Sequence, residues 1–205
     1  MYVRVASFAL AFAAALAPAL AGAQPAAARG PNQWSVLVGI EDGPGDSGMQ
    51  LRADLEFPQR RLSPVVGFAI VGSIGYSRFN ESGEYIEPFS QIRESWDNTL
   101  NLLKFSGSAR FTFGTSSSFR PYADAGLGVY YAGLSVSSTV EIPPYAPVTD
   151  EVSDSEVSLF MRLAGGVSFQ VSPGFSLGAE LGFTPYFGDL DETFTSLLAS
   201  ATFRM

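Results

Sequence analysis

The sequence predicts an eight-stranded antiparallel up-and-down transmembrane β-barrel. Three observations predict it: segments that alternate strictly between apolar and polar residues, aromatic residues gathered at the segment ends, and an export-type N-terminus. The clearest alternation runs from Met49 to Phe57. Met49, Leu51, Ala53, Leu55 and Phe57 fall on one face of an extended strand, and Gln50, Arg52, Asp54 and Glu56 on the other. A helix would scatter the two classes around its circumference. Beyond the N-terminus no stretch supplies the roughly 18 consecutive apolar residues of a spanning helix, so insertion has to be by strands, apolar face to lipid and polar face to the interior.

At the N-terminus Arg4 precedes a run of Ala, Leu, Val and Phe through Leu20, and then Ala21, Gly22 and Ala23 make the small-x-small arrangement that signal peptidase accepts. Residues 1–23 are expected to be a signal peptide cleaved after Ala23, residues 24–32 a flexible leader rich in Ala, Pro and Gly, and residues 33–205 a single outer-membrane barrel. A retained membrane helix is the weaker reading, because the apolar run is short and ends without basic stop-transfer residues.

Each strand follows from the same period. The first, about Gln33 to Glu41, turns Trp34, Val36, Val38 and Ile40 outward, and the second is the segment quoted above. The third, about Val65 to Arg78, opposes Val66, Phe68, Ile70, Ile74 and Tyr76 to small residues such as Gly67, Ala69, Ser73 and Gly75, which suit a narrow interior. The fourth, about Asn98 to Gly114, keeps Lys104 and Arg110 on one face and Leu103, Phe105, Phe111 and Phe113 on the other. The fifth, about Arg120 to Val136, turns Tyr122, Asp124, Gly126, Gly128 and Tyr130 inward; the sixth, about Ser158 to Val171, turns Phe160, Arg162, Gly166 and Ser168 inward. The seventh opposes Phe175, Leu177, Leu181 and Phe183 to Ser176, Glu180 and Thr184. The eighth opposes Leu197, Ala199, Ala201, Phe203 and Met205 to Leu198, Ser200, Thr202 and Arg204.

The connections alternate in length. Pro58 to Pro64, Thr115 to Phe119 and Ser172 to Gly174 are compact; Asp42 to Gly48, Phe79 to Asp97, Ser137 to Val157 and Gly188 to Thr193 form the other set, expected to be external loops. That second set, counted with Glu41 at its edge, carries most of the acids and is opposed only by Arg78 and Arg93, which accounts for the net charge of −8. An even strand count then leaves both termini in the periplasm. Interfacial girdles are expected from Trp34, Phe57, Phe113, Phe169, Phe175 and Phe203 at the periplasmic ends, and from Tyr76, Trp96, Tyr131, Phe183 and Tyr186 at the external ends.

The segment Arg120, Pro121, Tyr122, Ala123, Asp124, Ala125, Gly126, Leu127, Gly128 resembles the "RPY-x-x-AGLG" strand opening of the OmpA-like, OmpW-like and opacity-type outer-membrane barrels. Phe175 to Phe183 (FSLGAELGF) is similar to the penultimate strand of that group, with Glu180 at its inward acidic position. The resemblance implies a small barrel of a Gram-negative-type outer membrane, in contact with lipid and lipopolysaccharide and inserted by the barrel assembly machinery. The chain departs from the family's aromatic terminus, since Arg204 and Met205 follow Phe203.

The inward charges are Arg52, Asp54, Glu56, Lys104, Arg110, Asp124, Arg162, Glu180 and Arg204. Ions in a narrow lumen are costly unless paired, so near balance of sign predicts a salt-bridge network plugging the barrel; a gated ion path switched at Glu180 is the functional alternative. Small outer-membrane barrels include deacylases, palmitoyl transferases, phospholipases and proteases that rely on histidine. This chain has neither histidine nor cysteine, so a Ser-His centre cannot be built, thiolate metal sites are excluded, and no enzyme activity or cofactor is expected. The acids Asp150, Glu151, Asp154 and Glu156, or Asp189, Asp191 and Glu192, match no EF-hand loop and read as solvated loops with no metal assigned. Excess acid also disfavours nucleic acid.

The leading functional expectation is a monomeric, non-enzymatic barrel that scaffolds acidic surface loops for envelope integrity, adhesion or surface recognition. A narrow conduit for small apolar molecules, with a pocket near Tyr130, Phe160 and Leu198, is the second reading. A soluble lipocalin-like binder with its apolar faces turned inward is the third.

Overall fold

The computed structural model describes residues 33–43, 46–57, 60–63, 65–88, 92–114, 118–143 and 145–204. The expected signal peptide and leader, and Met205, lie outside the described residues. The strands are β1 (Gln33–Asp42), β2 (Ser47–Glu56), β3 (Arg60–Arg61), β4 (Val66–Ile86), β5 (Arg93–Phe113), β6 (Phe119–Glu141), β7 (Val148–Ser172), β8 (Phe175–Pro185) and β9 (Thr193–Arg204). β1 pairs with both β2 and β9, and β2 pairs with β4, so the sheet closes on itself. β3 is a two-residue ladder against Phe68 and Gly67; the other eight strands make the wall, every pairing antiparallel.

Side chains alternate across that wall as a period of two requires. In β2 the exposed and buried classes alternate without a break, Arg52, Asp54 and Glu56 lying inside and Leu51 and Leu55 outside. The apolar face therefore points outward, which rules out the lipocalin-like inversion. Close packing inside depends on glycine: a Cβ at Gly128 would collide with the Phe105 carbonyl and the Phe160 ring.

The two connections expected as long loops, Phe79 to Asp97 and Ser137 to Val157, are mostly strand. β4, β5, β6 and β7 run 21, 21, 23 and 25 residues, where a membrane crossing takes roughly 9–11. They continue past the ends of the shorter β1–β2 and β8–β9 hairpins as one four-stranded sheet, paired out to Ile86↔Arg93↔Glu141 and Val140↔Val148. The alternation persists through this extension but its polarity reverses. Tyr76, Leu103, Tyr131 and Val157 stand in one directly paired outward row; the next outward row is Arg78, Asn101, Gly133 and Ser155. Beyond it Ser135, Ser137 and Thr139 face outward, whereas Leu134, Val136 and Val140 continue the lumen face. A stretch with its apolar phase swapped has lost the outward stripe by which a barrel strand is recognised, so it reads as loop.

Candidate functional site

The lumen holds two charge clusters and an aromatic layer. In the first cluster six charges close a ring of alternating sign drawn from five strands. Arg52 donates from Nε to Asp54 Oδ1 at 2.8 Å and from Nη1 and Nη2 to the two Glu180 oxygens, each at 2.9 Å. Arg162 Nη2 reaches Glu180 Oε1 at 2.7 Å and lies 3.6 Å from Asp124 Oδ2. Arg110 Nη2 completes the circuit, 2.9 Å from Asp124 Oδ2 and 3.1 Å from Asp54 Oδ2, and its Nη1 is 3.2 Å from Glu56. Tyr122, 4.7 Å below the Arg110 guanidinium, donates its hydroxyl to Glu180 at 3.0 Å. All seven charged side chains are buried, so each ion exchanges water for fixed counter-ions at hydrogen-bond distance. The ring has one loose joint: Arg162 and Asp124 meet beyond hydrogen-bond length, and Arg162 Nη1 and Asp124 Oδ1 have no partner among the described residues.

Lys104 and Glu41 form the second cluster, Nζ lying 2.9 and 2.7 Å from the two carboxylate oxygens. Ser77 donates to the same carboxylate, and Tyr186 donates to it at 3.2 Å. Glu41, expected at the edge of an external loop, is fully buried and is the counter-ion that Lys104 needs. Its position on the odd, inward phase of β1 was the available signal, masked by the acids that follow it.

The aromatic layer lies at the end of the lumen from which the long hairpins rise. Tyr186 packs edge-on against Tyr130 and Phe194, both at 5.0 Å, and lies 5.7 Å from Phe160; Phe79 meets Phe194 at 5.2 Å. Tyr130 donates to the Phe187 carbonyl at 2.7 Å, pinning the segment that follows β8. Tyr186 is thus a buried member of this layer and not an outward girdle residue. Its parity, two residues after the inward Thr184, agrees with burial; assignment by residue type alone misplaces it. At the opposite end a polar cavity of 40 Å³ is lined by groups such as Ser35, Thr112, Tyr122 and Thr202.

Of the other expected girdle residues, Trp34 stacks on Phe203 at 4.5 Å and Phe203 lies 5.1 Å from Phe175. Phe57, Phe113 and Phe169 are exposed at the same end, and Tyr76, Tyr131 and Phe183 are exposed toward the other. Trp96 departs from the expectation. It belongs to the lumen-side phase of the extended sheet, seven residues beyond Leu103, with its indole lying across Gly83. Arg204 also departs: it is exposed at the end of β9, outside the ring, because the last strand position reaches the barrel mouth.

Among the described residues no group of three or more acidic side chains is arranged to hold a metal ion, and no helix is long and apolar enough to cross a membrane.

Residues 7–203 match the family described as outer membrane protein beta-barrel domain. The chain belongs to this family. Among solved structures this outer-membrane barrel is similar to Neisserial surface protein A, with 16% identity and a TM-score of 0.51 over 87% of this chain and 98% of that one. It is similar to the outer membrane enzyme PagL, with 17% identity and a TM-score of 0.51 over 84% and 99%. The attachment invasion locus protein Ail of Yersinia pestis, solved with the heparin analogue sucrose octasulfate, gives 15% identity and a TM-score of 0.46 over 87% and 100%. At these identities the likeness shows the fold alone. No curated protein matches the chain. As an outer-membrane barrel, the chain turns its exposed Leu, Ile, Val and Phe rows toward lipid.

Proposed function

We propose that this outer-membrane barrel is a monomeric, non-enzymatic scaffold with a closed lumen that raises a four-stranded sheet from the cell surface for recognition, adhesion or envelope integrity. Both termini are then periplasmic, and contact with lipopolysaccharide, insertion by the barrel assembly machinery and a surface ligand are parts of the same reading. The observation that carries it is the polarity reversal between the Tyr76–Leu103–Tyr131–Val157 row and the Arg78–Asn101–Gly133–Ser155 row. Lipid favours the first row and water the second, and the strands continue past it. Absence of histidine supports a non-enzymatic role. Against the conduit reading, Tyr186 fills the space beside Tyr130 and Phe160 where an apolar pocket would have to open, and Leu198 is likewise buried.

The chain has no native cysteine, so single-cysteine labelling tests the orientation directly. In intact cells a membrane-impermeant maleimide should label Ser153→Cys in the extended sheet and leave Ser172→Cys unlabelled until the envelope is opened. The reverse pattern would overturn the orientation, and steady single-channel conductance in a planar bilayer would overturn the closed lumen.

A further inference from the structure

The lumen-side face of the extended sheet is apolar, acidic and unpartnered. Tyr85, Trp96, Leu134, Val136, Val148 and Val152 lie on it by register, and no strand opposes them, because β2 pairs with β4 only as far as Arg78 and β8 with β7 only as far as Leu163. Tyr85, Leu134, Val148 and Val152 are all more than 40% exposed. Gly83 leaves room for the Trp96 indole to lie flat across the neighbouring strand, since a Cβ there would run into the ring. The result is a shelf with an aromatic plate, joined at its base through Leu100 to the aromatic layer of the lumen.

Charge identifies the occupant. Glu81, Glu94, Asp150 and Asp154 share this face with the apolar residues, and among the described residues of the extension no basic side chain does. Arg78 and Arg93 belong to the opposite phase, where Arg78 donates to Asn80 and Arg93 pairs with Glu84. An anionic lipid headgroup or a second copy of this chain, with its net charge of −8, would be repelled.

Resting on the surface-display reading, we infer that this shelf docks a cationic polypeptide segment whose aliphatic or aromatic side chains alternate with Lys or Arg. Apolar side chains settle on Val136, Val152 and Trp96, the cations meet the acids between them, and rim charges speed the encounter.

The chain has two tryptophans, so Trp34→Phe leaves Trp96 as the sole indole reporter. The full chain, folded in zwitterionic detergent, is titrated with a soluble peptide of alternating lysine and leucine, with the glutamate–leucine counterpart and polylysine as controls. Docking predicts a saturable change in Trp96 emission with the lysine–leucine peptide, weaker binding to polylysine and none to the acidic peptide. Asp150→Asn/Asp154→Asn and Val136→Ser/Val152→Ser should each raise the dissociation constant about tenfold, with the heat-dependent gel shift of the folded barrel unchanged. A response that the variants leave intact, or one shared by the acidic peptide, reports micelle partitioning and overturns the inference, as does no response. Maleimide labelling of Ser153→Cys in intact cells reads the display separately, so surface display without peptide binding defeats the docking inference alone.

Discussion

Arg52 and Glu180 meet as a parallel fork across the lumen, Nη1 to Oε1 and Nη2 to Oε2 both at 2.9 Å. The pair joins β2 to β8, strands that do not touch in the sheet. Glu180 is also the acceptor for Arg162 and Tyr122. Its replacement by glutamine therefore leaves two buried guanidinium groups short of charge and should cost about 3–5 kcal/mol. The double variant Arg52→Met/Glu180→Leu removes one guanidinium together with the carboxylate, leaving Asp54 with Arg110 and only Arg162 short of its hydrogen-bonded partner, and should lose less. Urea unfolding in lipid vesicles measures both, and equal losses would show that the fork is not a coupled unit.

Tyr186 supplies both a hydrogen bond and a space-filling ring. Tyr186→Phe removes the donor to the Glu41–Lys104 pair and should cost about 1.5–3 kcal/mol, whereas Tyr186→Ala also opens the aromatic layer and should cost about 3–5 kcal/mol. Uptake of a small apolar dye into proteoliposomes should rise only in the alanine variant. A leak through the phenylalanine variant would show that the hydroxyl and not the ring closes the lumen.

The outward rows predict where an arginine is tolerated. Leu127→Arg, in the middle of the outward face of β6, should destabilise the barrel by about 2–4 kcal/mol. Ser137→Arg, beyond the polarity reversal, should fall within about 0.5 kcal/mol of the parent. Reversible unfolding in vesicles gives both values, and comparable penalties would move the lipid boundary outward.

Gly83→Val should displace the Trp96 indole from its seat on the neighbouring strand. In the Trp34→Phe background the expected result is a red-shifted emission and easier quenching by iodide. Unchanged fluorescence would place the indole elsewhere.

Alternation carried most of this architecture into the sequence. Arg52, Asp54, Glu56, Lys104, Arg110, Asp124, Arg162 and Glu180 are assigned to the interior by phase alone, and the structure buries all eight. Phase does not state which acid meets which base, because that depends on strand stagger around a closed barrel. Trp96 and Tyr186 show the cost of reading residue type before phase: both sit at even, lumen-side positions, and an interfacial preference for aromatics assigned them to lipid. Glu41 shows the converse, an inward position obscured by its acidic neighbours. The extended hairpins were hidden because recognition of a barrel strand presumes lipid outside, and above the membrane that presumption inverts.

The ring of six charges also bears on how the barrel closes. Five strands contribute to it, and Arg52 of β2 meets Glu180 of β8 across the β1–β9 seam, where the first and last strands close the cylinder. Until that seam forms, Arg52 and Glu180 lack each other. A slip of one residue turns charges toward lipid, and a slip of two separates the Arg52–Glu180 fork. Formation of the fork and correct closure are therefore a single event, and the interior acts as a proofreader of strand alignment during assembly.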